Sequence, residues 1–235
     1  MSFFNKNKKI ILKAYTHSGE LAELFPPSIS SNQLPGWYES LPSVRDNLIK
    51  SVKHCVGFKE LNSSSVMLPS WVEYHISVNP TGIADINSPM PRPSGTSHPL
   101  DNQAPGAWPN YVNVKLHSPW YFWCSEPINW MWSQPVWHQK SPSTRITMPG
   151  ITEFRYYHQT HVNFLYPMSN TSYTDIIHPG EPLVQLTPLT EREWELQVEI
   201  LTNEDWAKKI LPWDHSFKFN YQKSRHIHEN KNKGT

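Results

Sequence analysis

The chain has 235 residues and a formal net charge of +1, with 22 Pro, 11 Trp, only 9 Gly, 13% aromatic and 17% charged residues. A disordered chain is poor in aromatics and rich in net charge, and a helical bundle does not tolerate so many prolines, each costing an interior helix ~3 kcal/mol or more. The near-zero charge supplies no global field toward nucleic acid or membrane, which leaves a folded, loop-rich, β-rich globule that binds neither.

The first nine residues end in a basic stretch, followed by an apolar run of three, Ile10-Ile-Leu12. That is shorter than a signal-peptide core, so secretion by a signal peptide is not expected. No stretch approaches the ~18 apolar residues of a membrane-spanning helix. Residues 9–15 read as a first strand, and residues 17–24 as a short helical turn stopped by Pro26-Pro27. In Leu34-Pro-Gly-Trp-Tyr-Glu-Ser-Leu-Pro42, two prolines bracket a Trp-Tyr pair, which suggests a rigid extended segment. Ser43 with Asp46 resembles a capping box for a short helix over 44–51.

Residues 71–78 alternate, with Val72, Tyr74, Ile76 and Val78 on one face of a half-buried strand. A long irregular stretch, 79–110, carries Pro80, Pro89, Pro91, Pro93, Pro99, Pro105 and Pro109. It reads as a surface excursion or as an arm facing a ligand or partner. Strands follow at 111–116, 144–148, 153–157, 161–166, 173–178, 182–188 and 194–200. The last has the cleanest alternation, Trp194, Leu196, Val198 and Ile200 against Glu195, Gln197 and Glu199. Thr202 with Asp205 opens a helix at 203–210. The tail 215–235 is basic and poor in apolar residues.

Six tryptophans, Trp108, Trp120, Trp123, Trp130, Trp132 and Trp137, lie between 108 and 137. Trp120, Tyr121, Phe122 and Trp123 are consecutive, so a strand there has two apolar faces, and the second must meet another layer or an interface. Trp120, Trp123, Trp130, Trp132 and Trp137 are therefore the candidate interface or ligand-stacking residues. Glu153, His158, His161 and His178 are the candidate ligands of one divalent transition metal, as in a cupin-like or oxygenase-like β-sandwich enzyme. Their spacing argues against convergence, because His158 and His161 point to opposite faces of an extended strand unless a turn falls between them. No nucleophile elbow and no phosphate-binding glycine fingerprint is present, so no catalytic or cofactor-binding residue is assigned. Cys55 and Cys124 fit no paired metal spacing and no disulfide framework, and reduced thiols are the simpler reading.

Several segments together resemble a family of uncharacterised single-domain proteins of tailed phages, especially marine ones, and of some bacteria. They are Leu34–Pro42, Ser51-Val-Lys-His-Cys55 leading to Leu68-Pro69, Ser118-Pro-Trp120, Trp132-Ser-Gln-Pro135, Val162-Asn-Phe164, and Gly180 through Leu189. The resemblance covers roughly 9 to 195 and implies a source and a fold rather than a reaction. Gly180-Glu-Pro-Leu-Val-Gln-Leu also looks like the closing strand of dUTPase-like β-clip folds, with no catalytic residue carried over.

The expectation is a mainly β fold, an antiparallel sandwich or a barrel-like, β-clip-like or jelly-roll-like arrangement, with long Pro-rich loops and a short C-terminal helix. It forms one domain over 1–235, with an irregular part at 1–70, a β core at 71–201 and a helix plus basic tail at 202–235. The expected function is that of a non-catalytic phage-type protein contacting other protein subunits, virion proteins or copies of itself, in the host cytoplasm or the virion. A metal-dependent enzyme and a sugar- or nucleotide-stacking module are the alternatives.

Overall fold

Alternation decides the first strand: Ile10, Leu12 and Ala14 are fully buried, while Ile11 and Lys13 are half-buried. The computed structural model describes residues 9–45, 49–89, 95–99, 108–139, 144–155 and 158–210. The N-terminal part holds β1 (Ile10–Thr16), α1 (Gly19–Leu24), β2 (Ser28–Ile29), α2 (Gly36–Ser40), β3 (Val44–Arg45), β4 (Ile49–Lys50), α3 (Val56–Ser63) and β5 (Val66–Pro69). Then come β6 (Tyr74–Val78), β7 (Ala84–Asn87), β8 (Gly95–Pro99), β9 (Tyr111–Leu116), β10 (Tyr121–Cys124) and β11 (Asn129–Ser133). The chain continues through β12 (Ile146–Thr147), β13 (Gly150–Glu153), β14 (Val162–Pro167), β15 (Tyr173–Ile177), β16 (Pro182–Pro188), β17 (Trp194–Ile200) and α4 (Asn203–Lys209).

The fold is mainly β, as expected, in several sheets wrapped around one core. The sheets have the orders β10-β1-β17, β13-β11-β16-β5-β2, β12-β14-β9-β8 and β15-β6-β7, with β3-β4 as a separate two-stranded sheet. Pairing is antiparallel except between β1 and β17, which run parallel from Ile10↔Trp194 to Thr16↔Ile200. β5 and the middle of β16 are buried on both faces, because their sheet lies between other layers. Gln185 of β16 is satisfied inside by Ser65 (2.8 Å), which in turn donates to Ser30 (2.9 Å). The core joins Ile10, Leu12 and Val66 from the first seventy residues to Val114, Phe122, Phe164 and Leu186 from the remainder. The part read as irregular thus supplies core strands.

β10 has the two covered faces that its sequence demands. Trp120, just before it, and Phe122 and Cys124 within it enter the main core. Tyr121 and Trp123 pack on the other side with Tyr15, Leu201, Ile210 and Trp206, so α4 forms the second layer. Trp206 sits edge-on to Tyr121 (centroids 4.8 Å apart) and against His17 (3.6 Å). Thr202 caps α4: its Oγ1 accepts from Asp205 N at 3.1 Å and donates to Asp205 Oδ2 at 3.0 Å.

Four local expectations are corrected. Residues 36–40 form a helical turn rather than an extended segment: Pro35 supplies the pre-set φ of an N-cap, its carbonyl accepts from Tyr38 N, and Pro42 stops the turn. Val44–Arg45 and Ile49–Lys50 pair as the antiparallel strands β3 and β4 rather than forming a helix, with Val44 opposite Lys50 and Arg45 opposite Ile49. The stretch 79–110 contains β7 and β8; β7 returns along β6 through a turn in which Asn79 Oδ1 accepts from Thr81 N and Ile83 N, and Gly82 takes φ +77°. The strand expected at 153–157 is β13, which lies earlier. On β17, Trp194 and Leu196 meet the core, whereas Val198 and Ile200 are exposed at the outer edge of its sheet. Residues 90–94, 100–107 and the tail 215–235 lie outside the described residues.

Candidate functional site

The tryptophan-rich segment is mostly interior. Trp120 and Trp130 are fully buried, and Trp132 is buried with its indole N–H donating to Thr152 Oγ1 at 3.0 Å. Phe154 gathers Phe122, Trp130 and Trp132 around it, with centroids 5.2 to 6.1 Å apart. Trp123 is half-buried against the layer containing α4. Of the five candidate interface rings Trp137 alone is exposed. The physical reason is the period of two: Trp130 and Trp132 share one face of β11, and that face is inward.

Trp137 has a partner that spacing alone does not reveal. Trp37 of α2 donates its indole N–H to the Trp137 carbonyl at 3.0 Å, and the two rings lie 6.1 Å apart. Phe58 of α3 packs edge-on to Trp137 (5.1 Å) and stacks on Tyr38 (4.8 Å). Lys53 Nζ lies 5.4 Å from the Tyr38 ring centroid. Phe58 is the buried base of this group, while Trp37 and Trp137 are 42% and 41% exposed. Val136, beside Trp137, and Val56, two residues before Phe58, add apolar surface at 65% and 70% exposure. A hydrogen bond and interlocked rings hold these aromatics in place, and rigid exposed aromatics of this type dominate the energetics of protein interfaces.

The four candidate metal ligands are not brought together, which corrects that expectation. His178 is exposed, with Nδ1 3.4 Å from Glu73 Oε2; His75 Nε2 lies 2.8 Å from Glu73 Oε1. These hydrogen bonds, from His75 first and His178 second, hold the Glu73 carboxyl below its usual pKa. Glu153 ends β13 and lies 3.8 Å from Arg155 Nε. His158 is buried, and its carbonyl accepts from Phe122 N. Burial lowers the His158 pKa to about 4. His161 Nδ1 accepts from Ser118 N at 3.1 Å; burial first, then Lys115 and His117, lower its pKa to about 3. Among the described residues no group of three or more His, Cys, Asp or Glu is placed to hold a metal ion. Neither His158 nor His161 lies within a strand; His158 is buried and His161 sits beside His117. Cys55 is exposed and Cys124 buried, both as free thiols, and burial pushes the Cys124 thiol up.

A cavity of about 210 Å³ is lined by Arg145, Asp175, His178, Glu181 and His138. Its charges already satisfy one another. Arg145 Nη1 donates to Asp175 Oδ2 at 2.7 Å, Nη2 donates to Glu181, and the Tyr166 hydroxyl donates to the same Asp175 oxygen at 2.8 Å. The guanidinium also lies 5.4 Å from the Phe164 ring centroid. Burial opposes its charge, but Tyr166, Asp175 and Glu181 outweigh burial and raise its pKa. This network fastens β12, β14 and β15 to the turn before β16. In that turn Glu181 N bonds the His178 carbonyl, Pro179 sets the first corner, and Gly180 adopts φ +79°. Compared with protein-family models, curated proteins and solved structures, the chain matches none. Among the described residues no helix is long and apolar enough to cross a membrane.

Proposed function

We propose that the protein is a non-catalytic component that works through contacts with other protein subunits, and that its contact face is built on Trp37, Tyr38 and Trp137. The observation that carries this reading is the joining of two half-exposed tryptophans, one hundred residues apart in sequence, by a hydrogen bond and a shared aromatic base. Rings fixed in this way lose little side-chain freedom on binding, which lowers the entropic cost of association. The resemblance to proteins of tailed phages supports a virion or assembly component as the setting, in the host cytoplasm or the particle, with virion proteins or further copies of this chain as partners.

Substitution of both rings tests the reading. The double variant Trp37→Ser/Trp137→Ser is expected to keep the far-ultraviolet circular dichroism of the parent and to weaken subunit association by at least ~2 kcal/mol, about thirtyfold. Association is measured by sedimentation of the protein alone and with each structural protein of the particle. A parent protein that stays monomeric and binds none of them overturns the proposal, as does a double variant that associates like the parent.

A further inference from the structure

β9 and β14 carry a second, polar face. In β9, Val112, Val114 and Leu116 enter the core, so Asn113 and Lys115 occupy the opposite face, and His117 follows in the same alternation. β14 pairs antiparallel with it, setting Asn163 directly opposite Lys115 and Val162 opposite Leu116. The same register carries His161 to His117, and their rings lie 5.1 Å apart. The 148–152 segment, Gln159 and Trp132 close over this face and leave a cavity of about 350 Å³. That volume falls within the range of small-molecule sites, ~300–1,000 Å³.

The lining of this cavity contains Lys115 and His161 and no Asp or Glu. Lys115 is half-buried, and its ammonium makes no hydrogen bond or ion pair among the described residues. Burial lowers its pKa, as expected for an ammonium taken from water without a counter-ion. His161 is oriented by Ser118 N–H, which donates to Nδ1. That bond leaves Nε2 as the protonated nitrogen, a donor with no acceptor among the described residues. The contrast with the Arg145 cavity is chemical: there a cation faces two carboxylates, and here a cation and an oriented N–H donor share a lining that holds no carboxylate among the described residues. A charge partly withdrawn from water is stabilised by an opposite charge beside it, so an anion is the complementary occupant.

We propose that this cavity binds a small molecule bearing an oxyanion, a phosphate or carboxylate, seated on Lys115 Nζ and His161 Nε2. Asn163 offers a carboxamide to its polar remainder, and the indole of Trp132 forms a wall. This site is independent of the aromatic contact face, and either proposal stands if the other fails.

The test titrates the whole protein with inorganic phosphate and, separately, with acetate, following the His161 ring by NMR and the melting temperature in parallel. At least one anion is expected to shift the His161 resonances saturably and raise the melting temperature; the arm that responds identifies the oxyanion. Lys115→Met removes the charge and keeps the length of the side chain. It is expected to weaken binding about tenfold or more while melting, without ligand, at or above the parent temperature. Lys115→Arg keeps the charge and retains binding, which separates loss of the site from loss of the fold. The proposal is overturned if neither anion binds saturably, if the His161 resonances stay fixed while an anion binds elsewhere, or if Lys115→Met binds like the parent.

Discussion

Replacing Arg145 with Met tests whether the charged cavity between β12 and the turn before β16 is a fastening or a binding site. The guanidinium is 13% exposed, as is Asp175, while Glu181 is 29% exposed. Methionine fills much of the aliphatic volume, so packing on Phe164 changes little. What changes is electrostatic: Asp175 and Glu181 lose their shared cation, and Asp175 keeps only the Tyr166 hydroxyl as a side-chain partner among the described residues. Breaking one side of a buried ion pair costs about 3–5 kcal/mol. The partial exposure of Glu181 lets water recover some of this, so the lower end applies, about 3 kcal/mol. With a urea dependence of ~3 kcal/mol per molar, the unfolding midpoint should fall by roughly 1 M. The triple variant Arg145→Met/Asp175→Asn/Glu181→Gln removes the stranded charges and should recover at least about half of the loss. A single-variant loss below ~1 kcal/mol, the size of an exposed pair, would refute the reasoning.

Two further outcomes follow from local geometry. Thr202→Ala removes the cap of α4 and should cost ~1 kcal/mol of stability; the quenching of Trp123 and Trp206 fluorescence across the urea transition reports whether that layer loosens first. His158 and His161 stay neutral in the folded chain until pH falls to about 4 and about 3, and burial lowers His138 in the same direction. Their unfolded counterparts take a proton below pH ~6.5, so the unfolded state binds more protons in that window. Stability is therefore lost as pH drops from ~6.5 toward about 4, by up to ~1.4 kcal/mol per pH unit for each such histidine. Urea midpoints measured from pH 7 to pH 5 check the slope, and His161→Gln should make it shallower; a flat profile in the parent contradicts the burial of these rings.

What the sequence revealed depended on the range of the interaction. The alternation of β1, β6, β9 and β17 is local, and each strand lies within a few residues of its expected place. The cap on α4 is also local, since Thr202 and Asp205 are three residues apart. The two apolar faces of β10 were legible too, because four consecutive aromatics leave no polar face. The pairing of β3 with β4 has no local signature, because Ser43 and Asp46 imitate a cap in sequence and only cross-strand pairing distinguishes strand from helix. The surface rings were hidden for a related reason. Sequence density drew attention to five tryptophans, but inward alternation buries three and the layer with α4 half-covers Trp123. The ring that joins Trp137 at the surface, Trp37, comes from α2, one hundred residues away. The anion cavity had a local signature in the polar alternation of Asn113, Lys115 and His117, but the facing His161 and Asn163 come from β14 and its approach, and no spacing rule connects them.

The central claim is that Trp37 and Trp137 form a protein-contact face. It is tested most directly by placing a photo-crosslinking amino acid at position 137, and at the exposed Glu195 as a control, in cells that produce the protein, and identifying the adducts by mass spectrometry. The account predicts adducts from position 137 to defined peptides of a structural protein of the particle or of a second copy of this chain, and few from position 195. Position 137 yielding no protein adduct, or no more than position 195, would contradict it.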